Sequence, residues 1–205
     1  MREYWNNPEA TAAALDEEGW LRTGDVGYVD TDGYLVITDR IKDIIVTSGG
    51  KNIAPAPIEG LILADPLFEH AVVLGNNRPY VTLLVRPSLP GLEDLAHQLQ
   101  LTFKEVSELP TRPEIVEEIT RRVAALTDKL PRQEQIKDLR VMLEELTMDN
   151  GLLTPTLKVK RKEVERRFGN LIEVFKTLKR TLAGSVVVIS HQERILEIAD
   201  EIAVL

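Results

Sequence analysis

The chain has 205 residues, 43% of them hydrophobic and 28% charged, with a formal net charge of −8 at pH 7. That is enough for one large or two small domains whose core needs no covalent staple. It has no cysteine, which excludes disulfides, a thiol nucleophile and thiolate metal sites. The three histidines, His70, His97 and His191, lie far apart and outside any HExxH frame, so no metal site is expected. The acidic balance argues against general nucleic-acid binding while permitting local basic patches. No apolar run approaches the ~18 residues of a membrane span, and the start "MREYWNN" lacks a signal-type apolar stretch. A cytoplasmic protein is expected.

In chain order, residues 8–18 read as a short helix with Pro8 in its first turn, ended by Gly19. Because "WNNPEATAAALDEEGWLRTGD" enters without a leading strand, we expect a piece of a longer chain. "WLRTGDVGYVDTDGYLVITDR" alternates on both sides of "DTDG", the pattern of a β-hairpin. "IKDIIVTSGGKNIAP" reads as a second hairpin turning at Gly49-Gly50, and Pro57 opens a short helix through Ala64. "HAVVLG" and "YVTLLVRP" are two strands joined over "NNRP". Helical periodicity follows in "GLEDLAHQLQ" and "RPEIVEEITRRVAALTDKL", where Ile115, Ile119, Val123 and Leu126 fall three or four apart. "KDLRVMLEEL" is a strand over 138–146, "TMDNGLLTPTLKVK" a turn-rich loop, and "RKEVERRFGNLIEVFKTLK" a basic amphipathic helix. After it the pattern changes: "GSVVVIS" has the β-branched character of a buried strand, "HQERILEIADEI" is helical, and "AVL" stops where a strand would begin.

"GWLRTGD", "DRIKDIIVTSGGKNIAPAPIE" and "LTPTLKVKRK", in that order and roughly 15 and 100 residues apart, resemble the C-terminal motifs of the adenylate-forming acyl-CoA synthetases. "SGGKNIAP" and "LTPTLKVKR" look most like the long-chain fatty acid–CoA ligases among them. The resemblance covers residues 3 to 175 and implies an α+β fold. Residues 1–41 would be the end of a large AMP-binding domain, contributing β-hairpin elements. Residues 42–176 would be a mobile C-terminal domain with a small mixed sheet and flanking helices, and 177–205 an atypical tail. It also implies the chemistry. A fatty acid carboxylate attacks the α-phosphorus of ATP, with Mg²⁺, giving an acyl-adenylate and pyrophosphate; the thiol of CoA then displaces AMP.

By the same resemblance, Lys158 is the cation that meets charge building on the α-phosphoryl oxygens. The bland alternative is a solvated lysine beside a charged helix. Asp25 matches an aspartate that accepts hydrogen bonds from both ribose hydroxyls, a task suited to two carboxylate oxygens; turn chemistry is its alternative. Arg40 matches a ribose- or phosphate-side contact, against a surface ion pair with Asp39 or Asp43. Lys42 holds the hinge position about which the small domain rotates between half-reactions, against a plain surface lysine between strands. Ser48-Gly49-Gly50-Lys51 does not form a phosphate cradle before a helix: Lys51 is followed by Asn52 and no GxxxxGK frame is present. In the family this loop lines the pantetheine channel, where glycines admit a narrow thiol arm; it is also a two-glycine turn. Lys158, Lys160, Arg161, Lys162, Arg166 and Arg167 read as a solvated helix face, with a CoA phosphate contact as the functional alternative.

The missing partner is then the N-terminal nucleotide-binding domain, with its phosphate loop, a Mg²⁺-associated glutamate and most of the acyl pocket. This piece alone is expected to be inactive. The tail "GSVVVISHQERILEIADEIAVL" departs from the family and resembles the switch-histidine end of an ABC-type ATPase at His191, yet no Walker A motif is present. Its β-branched strand suggests self-association. A remnant of such an ATPase and a non-catalytic interaction module are the alternative functions.

Overall fold

The computed structural model describes residues 1–169. The expectations for the tail, including its strand and His191, lie outside the described residues. Chain contacts divide the protein into two compact units, one running from Met1 to Ile44 and the other starting at Ile45.

The first unit is built from local signals. Helix α1 (Pro8–Ala14) starts at Pro8, and the Asn7 side chain accepts a 2.9 Å bond from the Ala10 N–H. It stops at Ala14 rather than Glu18. Leu15 is extended and bridges Leu21, while the Asp16 carboxylate accepts the N–H groups of Glu18 and Trp20. That side-chain turn competes successfully with another helical turn. Strands β1 (Asp25–Val29) and β2 (Leu35–Arg40) form the expected antiparallel hairpin around Asp30–Tyr34. The Asp30 carboxylate holds the turn by accepting from the N–H groups of Asp32 and Tyr34. A single 3₁₀ turn (Ile41–Asp43) then ends the unit.

In the second unit, β3 (Ile45–Val46) and β4 (Asn52–Ile53) pair across the Gly49-Gly50 turn. Helix α2 (Pro55–Leu63) begins two residues before the proline expected to open it. Pro55 and Pro57 both fit because first-turn N–H groups have no intrahelical acceptor to lose. A mixed sheet follows in the order β5-β6-β7, with β5 (Phe68–Leu74) antiparallel to β6 (Thr82–Pro87) and β7 (Asp138–Val141) parallel to it. Helices α3 (Leu89–Gln98) and α4 (Pro113–Thr127) lie between β6 and β7 in the chain, and 161–169 is helical (α5). β7 is shorter than its sequence suggests, because Met142 and Leu146 leave the strand to join a core.

Alternate residues of the sheet enter two different cores. Ala71, Val73, Leu83 and Val85 pack with Ile58 and Ile62 of α2, Leu92 and Leu95 of α3, and Ile115 and Ile119 of α4. Val72, Leu74 and Leu84 pack on the other face with Met142, Leu146, Leu152, Leu153, Val164 and Phe168. A sheet covered on both faces explains why "HAVVL" and "VTLLV" are continuously apolar rather than alternating. Each fully buried Ile or Leu here contributes about 1.5–3 kcal/mol relative to exposure. No described helix is long and apolar enough to cross a membrane.

Candidate active-site elements

The singled-out residues fall into three groups. The first lies in the hairpin of the N-terminal unit. Asp25 and Arg40 are cross-strand partners, and Arg40 Nη1 donates to Asp25 Oδ1 at 2.7 Å. The alternatives for Arg40 in the sequence are ion pairs with Asp39 or Asp43; its guanidinium pairs with Asp25, and its backbone N–H donates to Asp39 Oδ1. The Asp25 side chain is 27% exposed and that of Arg40 52%, so the pair keeps contact with solvent. Lys42 is exposed within the 3₁₀ turn that links β2 to β3, two residues before the division at Ile44–Ile45.

The second group is the Ser48–Lys51 loop. Its base is fixed: Thr47 Oγ1 accepts from the Lys51 N–H, the Gly50 N–H donates to Thr47 C=O, and the Ser48 N–H donates to Arg78 C=O. Asn76 Oδ1 accepts from the Val46 N–H, and the Asn77 N–H donates to Val46 C=O, so residues 76–78 brace the turn from the side. Gly50 has φ +72°, which the turn demands of a glycine. Gly49 has no such angle, and a Cβ built on it would meet nothing within 4 Å. The chain's own packing therefore requires Gly50 but not Gly49. Arg78 braces the loop through its carbonyl, while its guanidinium lies toward Gly169, with Nη2 3.8 Å from where a Cβ there would stand, and its Nη1 is buried without a hydrogen-bond partner among the described residues. Sequence reading passed over Arg78 because "GNNRPY" looks like an ordinary turn; only the bracing by its carbonyl marks it.

The third group surrounds Lys158. The Leu153–Val159 bridge and the bond from the Lys160 N–H to Leu152 C=O close a tight hairpin. At its tip the Thr154 N–H donates to Lys158 C=O, and Thr154 Oγ1 accepts from the Lys158 N–H. Leu157 adopts φ +59°, an unusual angle for a non-glycine residue. Lys158 itself is exposed, while the buried Leu152 and Leu153 anchor the base. Among the described residues no hydrogen bond or ion pair joins this hairpin to the Ser48–Lys51 loop. The arginines of the basic run beyond it are paired: Arg161 with Glu59, Arg166 with Glu163 and Arg167 with Glu144. That favours a structural and solvated role for these arginines over a phosphate patch.

A family model described as the AMP-binding enzyme C-terminal domain matches residues 42–178. The chain is 41% identical over 171 residues to the long-chain-fatty-acid–CoA ligase FadD15 of Mycobacterium tuberculosis, covering 83% of this chain and 28% of that protein. It is 31% identical over 192 residues to the long-chain-fatty-acid–CoA ligase ACSBG1 of Homo sapiens, covering 84% of this chain and 26% of that one. It thus spans little more than a quarter of either relative. Among solved structures it is similar to the adenylation domain of a carboxylate reductase from Mycobacterium chelonae, with TM-score 0.66, 26% identity, and 85% of this chain and 26% of that one covered. The adenylation domain of the carboxylic acid reductase from Segniliparus rugosus, solved with AMP and a co-purified carboxylic acid, gives TM-score 0.62 at 26% identity, covering 86% of this chain and 26% of that one. The ABC-type reading of the tail gains no support from these matches.

Proposed function

The chain belongs to the AMP-binding enzyme C-terminal domain family, and from that premise we propose that it works as the C-terminal part of an AMP-forming long-chain fatty acid–CoA ligase. In the first half-reaction a fatty acid carboxylate oxygen bonds to the α-phosphorus of ATP as the bond to the β-phosphate oxygen breaks, and pyrophosphate leaves. In the second, the CoA sulfur bonds to the acyl carbon, the thiol proton is lost to solvent, and AMP departs. The partner that completes the site is an N-terminal nucleotide-binding domain, and the reaction is assigned to the cytoplasm.

The observation that carries the reading is Lys158. A long cation, exposed at the tip of a hairpin whose base is buried, can enter a neighbouring domain's site without unfolding its own. It supplies positive charge where the α-phosphoryl oxygens become more negative. Asp25 accepts the ribose hydroxyls once it exchanges its solvent-exposed bond to Arg40, which then lies at the ribose or phosphate side. Lys42, in the 3₁₀ turn beside the division between units, serves as the hinge. Ser48, Gly49, Gly50 and Lys51 line the pantetheine path; the open space above Gly49 supports this, since the turn itself does not require glycine there. Mg²⁺ would enter with the ATP phosphates.

The test is Lys158→Ala in a complete synthetase carrying this region. Pyrophosphate release should fall about 10²–10³-fold, the cost of one preorganised charge contact, while thioester formation from supplied acyl-adenylate stays unchanged. Equal loss in both half-reactions would overturn the assignment.

A further inference from the structure

Three residues beyond Lys158, at the start of α5 where the hairpin ends, one side chain crosses to the edge of the sheet. Arg161 Nη1 donates to Glu59 Oε1 at 2.5 Å and to Val73 C=O at 2.7 Å, and Nη2 donates to Glu59 Oε2 at 3.0 Å. Glu59 Oε1 also accepts the Val73 N–H at 2.7 Å. Carboxylate and guanidinium meet fork to fork, and between them they satisfy both backbone polar groups of one residue on β5, an edge strand of the described sheet. Both side chains are largely buried, 16% exposed for Arg161 and 15% for Glu59.

The placement is informative. The apolar anchors of the Lys158 hairpin, Leu152, Leu153 and Val159, belong to the core that also takes Val164 and Phe168 of α5. Hydrophobic packing is non-directional and holds this segment against the sheet without fixing its rotation or its slide along the strand. A bidentate pair docked on the N–H and C=O of Val73 does fix both. Arginine suits this because its donors form a rigid planar fork; a lysine at the same position would offer a point charge and no orientation. Glu59 comes from α2, which follows directly on the Ser48–Lys51 hairpin, so one ion pair sets the two loops in a common frame.

We infer that Glu59 and Arg161 are positioning residues for Lys158, locking the base of its hairpin to strand β5 so that the ammonium reaches the α-phosphate in one geometry. This rests on the adenylation role proposed for Lys158. Neither residue touches substrate; each acts through the hairpin.

The test uses Glu59→Gln and Arg161→Lys in a complete synthetase, with Lys158→Ala as reference and the double variant Glu59→Gln/Lys158→Ala. Both single variants should retain a cooperative thermal transition. Each should slow adenylation about 10- to 100-fold, the range expected for a misplacement near 1 Å. Thioester formation from supplied acyl-adenylate should stay within about twofold of wild type, since one group serves only one half-reaction. In the double variant the Glu59 effect should vanish, because a positioning residue has nothing left to position. A purely structural pair would instead give additive losses or equal losses in both steps, and either result overturns the inference. So would loss of the cooperative transition in both single variants. If Lys158→Ala itself shows no preference between half-reactions, the adenylation reading fails first and separately.

Discussion

Two regions of one chain answer differently to the question of what holds them. From Met1 to Ile44 no residue is buried, although Trp5, Trp20, Tyr28, Tyr34, Leu35 and Ile37 are all more than half exposed. Among the described residues from Ile45 onward, two cores sandwich a three-stranded sheet. The first region is specified by local devices: an Asn cap, two aspartate turns, a hairpin register. The second is specified by burial. Local devices can shape a segment, but they supply too little free energy to hold it alone, since a seven-residue helix and a two-stranded hairpin are each marginal in water. Large aromatic side chains on such a segment are what a surface made to be covered looks like. This fits our proposal that the region completes a larger nucleotide-binding domain.

The comparison is broken most directly by dividing the chain. A protein covering residues 45–205 should keep a single cooperative thermal transition, and a peptide of residues 1–44 should show none by circular dichroism. A cooperative transition in the peptide would mean that burial is not what separates the two regions.

Legibility in the sequence follows the same division. Strands buried on both faces and helices with apolar positions three or four apart could be read directly, because packing imposes those periods. The end of α1 could not, since Asp16 redirects the chain through side-chain bonds that periodicity does not register. The length of β7 was overestimated because Met142 and Leu146 are equally apolar whether they continue a strand or turn into a core. At the site, the motifs pointed to Lys158, Asp25 and the glycine turn. Arg78 and the Glu59–Arg161 pair were invisible, because their meaning lies in contacts between distant segments. Glu59 and Arg161 are 102 positions apart.

A smaller effect sharpens the comparison on the side of the well-buried unit. Glu118 on α4 accepts from Arg121 and Arg122, and Arg122 reaches on to Asp65. The hydrogen bond from Arg121 is the main cause that lowers its pKa from 4.5 to about 2, with Arg122 assisting against the opposing effect of burial. A carboxylate whose pKa is depressed on folding contributes stability fully present above its unfolded value. That contribution is lost as pH falls from about 4.5 toward 2. The upper bound is about 3 kcal/mol, and solvent around the exposed Arg121 reduces it to about 1 kcal/mol. Glu118→Gln should therefore flatten the acid limb of a stability-against-pH curve, measured by denaturant unfolding between pH 5 and 2. An unchanged limb would mean the triad adds nothing.

The smallest effect belongs to the exposed unit. Asp25 and Arg40 face each other across the hairpin, but both are solvated, and a pair of that kind is worth roughly 0.2–1 kcal/mol. Arg40→Gln should lower the hairpin population only modestly, read in the 1–44 peptide from cross-strand proton contacts between Val26 and Asp39. Salt near 1 M, where the screening length is about 3 Å, should largely reproduce the change in the unaltered peptide. If Arg40→Gln instead abolished the hairpin, the pair would be a structural pin and Asp25 would not be free to turn toward a ribose. A weak bond is what the proposed role requires. The carboxylate must give up its arginine for two hydroxyl donors, and an exchange costing at most about 1 kcal/mol leaves most of the new hydrogen-bond energy for holding the nucleotide.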